Sequence, residues 1–131
     1  MQNYFRLFAA LGALAVALGA FGAHGLRNLV GPAEIETFTT GVRYQFYHAF
    51  AIGLVAVCAL SNRFSSKQLN RAVWCFALGT LLFSGSLYAL SLRGVHGLPV
   101  AFLGPITPVG GLLFIAGWVF LFLAPTSSAR V

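Results

Sequence analysis

The sequence predicts an all-α membrane protein whose four transmembrane helices form a compact antiparallel bundle. Hydrophobic residues make up 59% of the chain and charged residues only 8%, whereas soluble domains carry about 25% charged residues. A spanning helix needs about 20 mostly apolar residues, and four stretches separated by polar breaks satisfy that requirement. These spans are 4–23, 41–60, 72–92 and 105–124, and they form a single transmembrane domain over residues 1–131.

The first span carries two ridges of small side chains at intervals of four residues: Ala15, Gly19 and Ala23 on one, and Ala9, Ala13 and Ala17 on the other. Lipid tails provide no hydrophobic force between helices, so small residues favour association by letting backbones approach closely. Two interpretations stand, packing within the bundle and contact between copies of the protein. The span is also longer than the apolar core of a secretory signal, about 7–15 residues, so we expect it to remain uncleaved.

The second span begins with the richest polar segment of the chain, residues 40–48. Tyr44 and His48 lie one turn apart on one helical face, and Arg43 and Tyr47 share the adjacent face. Tyrosine and arginine are common at the membrane interface. His48 lies further along the helix than Arg43, roughly 7 Å deeper at 1.5 Å per residue, and an ionisable side chain at that depth needs a partner.

We expect the partner of His48 to lie on another helix. The short connection between the second and third spans makes these two helices antiparallel neighbours, so His48 and Ser84 come to comparable depths. Tyr88 lies one turn beyond Ser84, and His24 ends the first helix. Ser84, Tyr88 and His24 are therefore the predicted partners of the imidazole.

The third span has one polar stripe, at spacings of four, four and three residues: Thr80, Ser84, Tyr88 and Ser91. Either the stripe lines a passage or small pocket, or its hydroxyls bond to neighbouring helices and to carbonyls one turn earlier. A transport path normally shows an intramembrane carboxylate. Glu34 and Glu36 both fall in the predicted loop 27–40, so proton-coupled transport is disfavoured.

Turn and cap residues mark the helix boundaries. Thr39 and Thr40 are predicted to cap the second helix, and Pro105 and Pro108 suit the first turn of the fourth. The loop before that helix is unusual, because residues 97–103 hold no charge and much apolar surface. We expect this loop to lie along the membrane interface or to be covered by protein.

The distribution of charge indicates a lipid partner and an orientation. The formal net charge is +6, but the basic residues interrupt or flank apolar runs and line no single face, so no nucleic-acid partner is expected. The middle loop concentrates Arg63, Lys67 and Arg71. By the positive-inside rule, this loop and both termini are predicted to lie in the cytoplasm.

No cofactor or catalytic motif is predicted. His24, His48 and His96 all fall on the outer side of this topology, where three histidines could bind zinc or copper and a pair could bind haem. No helix carries two histidines one turn apart, so neither a metal nor another cofactor is expected. Cys58 and Cys75 are interpreted as packing residues. The chain lacks the common hydrolase and phosphate-loop motifs, and we expect no enzymatic activity.

Four motifs resemble a family of small bacterial inner-membrane proteins, the domain of unknown function 423, with animal relatives called transmembrane protein 256-like. The motifs are GAFGAHG at 19–25, TGVRYQFYHA at 40–49, FSGSLY at 83–88 and LGPITPVGG at 103–111. They occur in order and cover almost the whole chain. The resemblance implies a multi-pass inner-membrane protein with four helices, and it implies no particular activity.

The positions that match the family pattern define the candidate ligand-binding residues: His24, Arg43, Tyr44, Gln45, Tyr47, His48, Ser84, Tyr88 and Thr107, accompanied by Pro105 and Pro108. Most fall in the outer half of the predicted membrane. Three functional hypotheses follow. The favoured one is a non-enzymatic structural or accessory protein that associates with itself or with a larger membrane complex. The second is a binding or transport module that uses this cluster for a small ligand, lipid, quinone or haem. The third and least favoured is a membrane enzyme that uses the same cluster.

Overall fold

The computed structural model describes residues 2–126, and every regular element in that range is a helix. Single-turn 3₁₀ helices occur at Leu26–Asn28 and Ala101–Leu103. The α-helices are α1 (Gln2–Ala23), α2 (Pro32–Cys58), α3 (Ser66–Ser91), the short α4 (Arg93–His96) and α5 (Ile106–Phe122). Arg130, which the predicted topology places in the cytoplasm, lies outside the described residues.

The four long helices pack in chain order, α1 on α2, α2 on α3 and α3 on α5. Gly19, late in α1, faces Val42, whereas Phe8, early in α1, faces Gly53. Residues late in α1 therefore contact residues earlier in α2, and residues early in α1 contact residues later in α2. The two helices are antiparallel. The same reasoning applies to α2 and α3, where Gly41 faces Tyr88 and His48 contacts Phe76. It also applies to α3 and α5, so α2 and α5 run in the same direction.

Glycines set the distance between α3 and α5. A Cβ atom built on Gly117 would lie 2.6 Å from the Phe76 ring, and one built on Gly110 would lie 2.5 Å from the backbone nitrogen of Phe83. Side chains at these two positions of α5 would collide with α3. Close backbone approach is how helices associate where lipid provides no hydrophobic force.

Helix α2 begins before the predicted cap, so the capping prediction for Thr39 and Thr40 is wrong. The N-cap is Gly31, and Pro32 follows at the first helical position, where its missing N–H needs no partner and its φ suits a helix. The two threonine hydroxyls instead donate to carbonyls one turn earlier. Residues 32–40 of the predicted loop, including both acids, therefore form the first turns of α2.

Among the described residues, three segments are long and apolar enough to cross a membrane: Gln2–Ala23, Ser66–Ser91 and Ala101–Phe122. Helix α2 is not among them, because polar residues interrupt its apolar sequence. Two of these, Gln45 and His48, are 2% and 4% exposed. Helix α2 therefore turns part of its polar surface inward.

The loop between α2 and α3 is tied to the segment that follows α5. The Ser65 amide donates to the Ala124 carbonyl at 2.7 Å, and the Thr126 amide donates to the Arg63 carbonyl at 2.8 Å. These bonds flank an isolated antiparallel bridge between Phe64 and Pro125. The tie fixes the final turn of α5 against the start of α3.

The uncharged loop before α5 is exposed. Leu98 and Phe102 are both more than half exposed. His96 holds the start of this loop, because its Nε2 lies 2.8 Å from the Ala89 carbonyl and its Nδ1 accepts from the Leu98 amide at 2.9 Å. The protein therefore does not cover this loop, and its position along the membrane interface stays a prediction.

The two ridges of α1 have different surroundings. Ala15 is fully buried and Gly19 half-buried against α2. The second ridge, of Ala9, Ala13 and Ala17, is exposed. The first ridge therefore packs within the molecule, except at its exposed end, Ala23.

Replacing Gly19 by leucine is expected to lower the free energy of unfolding by about 1–3 kcal/mol, the usual effect of over-packing. A Cβ atom at Gly19 lies 3.4 Å from Cγ1 of Val42, so alanine fits and the longer leucine does not. Thermal unfolding in detergent measures the change. Gly12→Leu is the matched control, because nothing lies within 4 Å of a Cβ atom there. Equal stability of the two leucine variants would contradict the assignment of this ridge.

Candidate functional site

A groove of about 930 Å³ opens between α2 and α5, with α3 at its back. Most of its lining is aromatic: Tyr44, Tyr47, His48 and Phe50 from α2, Phe83 from α3, and Phe114 and Trp118 from α5, together with Pro108, Gly111, Leu112 and Ile115. The groove exists because α2 and α5 both pack on α3 and run in the same direction beside each other. Its lining contains no carboxylate and no thiol.

His48 forms the polar part of the groove wall and is held at both ring nitrogens. Its Nδ1 lies 2.7 Å from the Tyr44 carbonyl oxygen, and since a carbonyl only accepts, Nδ1 carries the hydrogen. Its Nε2 accepts from the indole Nε1–H of Trp118 at 3.2 Å. These two bonds select the neutral imidazole with hydrogen on Nδ1.

Aromatic contacts fix the plane of the His48 ring. It stacks on Phe114 with ring centroids 3.5 Å apart and planes only 4° from parallel. Phe76 contributes a tilted contact at 5.5 Å between centroids. The imidazole is therefore immobilised between α3 and α5.

The prediction that His48 bonds to another helix is confirmed, but the predicted partners are wrong. Trp118 on α5 is the donor. Ser84 and Tyr88 are absent from the contacts of the imidazole because both hydroxyls are engaged with other groups of α2. His24 is exposed at the far end of α1.

A second set of polar contacts lies apart from the groove lining and joins three helices. Gln45 of α2 donates from Nε2 to the Leu11 carbonyl of α1 at 2.9 Å. Its Oε1 accepts from the Tyr88 hydroxyl of α3 at 2.7 Å, and the Ser84 hydroxyl donates to the Gly41 carbonyl at 2.7 Å. Gln45, Ser84 and Tyr88 are thus engaged in bonds between helices and do not line the groove.

The remaining hydroxyls of the α3 stripe are also engaged. Thr80 donates to the Phe76 carbonyl at 2.8 Å, and Ser91 donates to the Tyr88 carbonyl at 2.9 Å. This pattern agrees with the structural interpretation of the stripe. Thr107, another candidate, is 2.6 Å from the Ser86 hydroxyl and so joins α5 to α3.

The candidate residues therefore divide by location. Tyr44, Tyr47 and His48 line the groove. Arg43 and His24 are exposed and lie outside its lining. Within residues 2–126, no three histidine, cysteine or acidic side chains come together as a possible metal site.

The tyrosines of the groove have free hydroxyls. Tyr44 is 36% exposed and Tyr47 is 53% exposed. Among the residues that the structure describes, neither hydroxyl has a hydrogen-bonding partner, in contrast to that of Tyr88. The groove therefore offers two phenolic donors above an aromatic surface, which suits an apolar guest that carries hydrogen-bond acceptors.

Sequence reasoning missed the contributions of Phe83, Phe114 and Trp118. A usable signal was present for Trp118, because it lies well inside the apolar run 105–124 and a buried indole N–H usually finds a partner. Phe83 and Phe114 gave no such signal, since a phenylalanine in an apolar helix is equally suited to a core or to lipid.

Long apolar helices with buried polar contacts between them define a helical membrane protein. The chain belongs to the family described as "Protein of unknown function (DUF423)", whose model matches residues 18–111. This confirms the resemblance that the four motifs indicated.

The relatives are named as membrane proteins. The UPF0382 inner membrane protein YgdD of Escherichia coli is 45% identical over 121 residues, which cover 92% of this chain and 87% of the relative. The UPF0382 membrane protein YwdK of Bacillus subtilis is 41% identical, and the match covers 91% of this chain and 95% of the relative. A Staphylococcus haemolyticus UPF0382 membrane protein is 42% identical, and the match covers 91% of this chain and 94% of the relative. No solved structure matches the chain.

Proposed function

We propose that this chain is a four-span membrane protein that binds a lipophilic molecule in the groove between α2 and α5. The observation that carries the proposal is the groove itself, which has a volume of about 930 Å³ and a mostly aromatic lining. Its two tyrosine hydroxyls have no hydrogen-bonding partner among residues 2–126. Binding sites for small molecules are typically concave and apolar with a few polar groups, and their volumes are about 300–1,000 Å³.

In this proposal α2 is the fourth span of the bundle. Its length of 27 residues exceeds the roughly 20 that a span needs. Gln45 and His48 turn inward and find partners on other helices, as polar side chains within a membrane must.

The proposed orientation places the middle loop and both termini in the cytoplasm. Arg63, Lys67 and Arg71 lie at one end of the helices, whereas Glu34 and Glu36 lie at the opposite end of α2. Arg27, Arg43 and Arg93 also lie towards that opposite end. The concentration of three basic residues in one short loop is what supports a cytoplasmic middle loop by the positive-inside rule. The bacterial inner membrane is the proposed location, since the Escherichia coli relative is named for it.

The groove favours binding over catalysis. An acid–base or nucleophilic mechanism needs paired groups within hydrogen-bonding reach. The only imidazole in the lining already has both nitrogens engaged, by Tyr44 and Trp118. We therefore propose a non-enzymatic protein.

A structural or accessory role is the second candidate. The bonds of Gln45, Ser84 and Tyr88 hold three helices together without any ligand. The exposed α1 ridge of Ala9, Ala13 and Ala17 offers a surface of small residues that suits association with another copy or with a larger membrane complex.

Filling the groove tests the binding proposal. A Cβ atom at Gly111 lies 3.8 Å from Phe83, so leucine there extends into the groove without a backbone collision. We expect the protein purified in mild detergent to retain a lipophilic molecule in native mass spectrometry, and Gly111→Leu to reduce that retention about tenfold or more.

Gly12→Leu, on the open side of α1, is the matched control and should retain the molecule as the unmodified protein does. Equal retention by the two leucine variants would overturn the binding proposal and leave the structural role.

A further inference from the structure

We infer that the occupant of the groove is an anionic lipid, with its headgroup at Arg43, Tyr44 and Tyr47 and its acyl chain along Ile115 and Trp118. This inference rests on the proposed function and names the ligand class for the same groove. The argument combines an arginine without an acidic partner, two free phenols, and the order of these residues along the helix.

Arg43 is an exposed cation within the body of α2. Among residues 2–126, no carboxylate forms a salt bridge with it, and the nearer acid in sequence, Glu36, is seven residues away, roughly 10 Å along the helix axis. A guanidinium in a spanning helix must extend to the headgroup region or meet an anion. Arg43 is therefore placed for an anion that the protein itself does not supply.

The position of Arg43 on the helix connects it to the groove. Residues at i, i+4 and i+7 share one face of a helix, and Arg43, Tyr47 and Phe50 have this spacing. Tyr47 and Phe50 both line the groove. Arg43 therefore lies on the groove-facing side of α2, at the edge of the lining and one helical turn before Tyr47.

The polar groups at this edge match the oxygens of a phosphate diester and its glycerol. Arginine binds phosphate through two parallel, charge-assisted hydrogen bonds, and the hydroxyls of Tyr44 and Tyr47 are free to donate. A zwitterionic lipid would bring a second cation beside Arg43. A neutral quinone would offer acceptors to the phenols but leave the guanidinium without a counter-charge.

The apolar groups follow in the order that a lipid requires. Helices α2 and α5 run in the same direction, so the groove passes from Arg43 and Tyr44 at one end towards Ile115 and Trp118 at the other. Phe50 and Ile115 each have more than 60% of their surface uncovered by other residues of the protein. This part of the groove offers an acyl chain a continuous apolar surface below the headgroup.

Trp118 provides a direct test, because bromine atoms on an acyl chain quench a tryptophan that they contact. Trp74→Phe leaves Trp118 as the only tryptophan. This variant is titrated in detergent micelles with phosphatidylglycerol or phosphatidylcholine carrying dibrominated chains. We expect phosphatidylglycerol to quench Trp118 at about tenfold lower mole fraction than phosphatidylcholine.

Charge variants identify the headgroup contact. Arg43→Gln should abolish the preference for phosphatidylglycerol, whereas Arg43→Lys should keep much of it. Arg6→Gln, which removes an exposed cation from the opposite end, should leave the preference unchanged and is the matched control. A preference that survives Arg43→Gln overturns the assignment of the headgroup.

The outcomes separate this inference from the proposed function. Trp74, the only tryptophan left in Trp118→Phe, gives the reference level of quenching at an exposed position. If both lipids quench Trp118 equally, and more strongly than this reference, the groove binds lipid without regard to charge. That result overturns the inference and preserves the proposed function. Quenching of Trp118 no stronger than that of Trp74, which is exposed on α3, overturns both.

Discussion

Gly110→Ala is expected to lower the free energy of unfolding by about 3 kcal/mol, the upper end of the usual effect of over-packing. The added Cβ atom would lie 2.5 Å from the backbone nitrogen of Phe83 and 2.9 Å from its Cα atom. A side chain can rotate away from such a contact, but a helix backbone cannot. The variant must therefore separate α3 from α5, which loosens their packing and widens the groove.

The neighbouring glycine provides the control for this prediction. A Cβ atom at Gly111 is 3.8 Å from Phe83. The free energy of unfolding of Gly111→Ala should therefore lie within about 0.5 kcal/mol of that of the unmodified protein. Reversible unfolding in mixed micelles with increasing denaturing detergent measures both variants. Similar losses at the two positions would mean that α5 does not approach α3 through Gly110.

His48→Ala is expected to destabilise the protein by about 3 kcal/mol, the lower end of the range for deleting a buried aromatic side chain. The substitution removes the stack on Phe114, leaves a cavity beside Phe76 and frees the indole N–H of Trp118. Aromatic pairs contribute about 0.5–1.5 kcal/mol beyond their buried area. The cavity therefore accounts for most of the loss.

Two polar variants separate the bonds of His48. Glutamine reaches as far as Nε2 and can accept from Trp118, whereas asparagine reaches only as far as Nδ1 and can donate to the Tyr44 carbonyl. We expect each to lose about 1 kcal/mol, mainly the ring stack. A double-mutant cycle with Trp118→Phe isolates the interhelical bond, which should be near the 0.6 kcal/mol average for membrane helices. A coupling energy of zero would show that the indole does not bond to His48.

The sequence predicts the helical class and much of the helix placement, because long apolar runs decide both. It misplaces the start of α2. Glu34 and Glu36 suggested a loop, yet Pro32 after Gly31 is a strong helix start and the acids are favourable in the first turns of a helix. The prediction relied on the polarity of the two glutamates, whereas the backbone preference of the Gly31-Pro32 pair determines where α2 starts.

The candidate site was predicted on one side only. Tyr44, Tyr47 and His48 stand out because polar aromatic residues are conspicuous in an apolar helix. Their counterparts Phe114 and Trp118 do not, since the choice between lipid and groove depends on which helix lies beside α2. Because α3 follows α2 in the chain, the sequence suggested that α3 supplies the partner of His48. In the structure α5 packs on α3 beside α2 and supplies it instead.

The tie between the α2–α3 loop and the segment after α5 has a consequence for biosynthesis. Each long helix packs on the one made before it, so assembly can follow the order of translation, as it does for units that fold from the N-terminus. Phe64 leaves the ribosome some sixty residues before Pro125, its partner in the bridge. Until that late segment arrives, the loop has unpaired backbone groups and the groove lacks the wall that α5 supplies. The proposed ligand can therefore bind only to chains whose synthesis has passed α5.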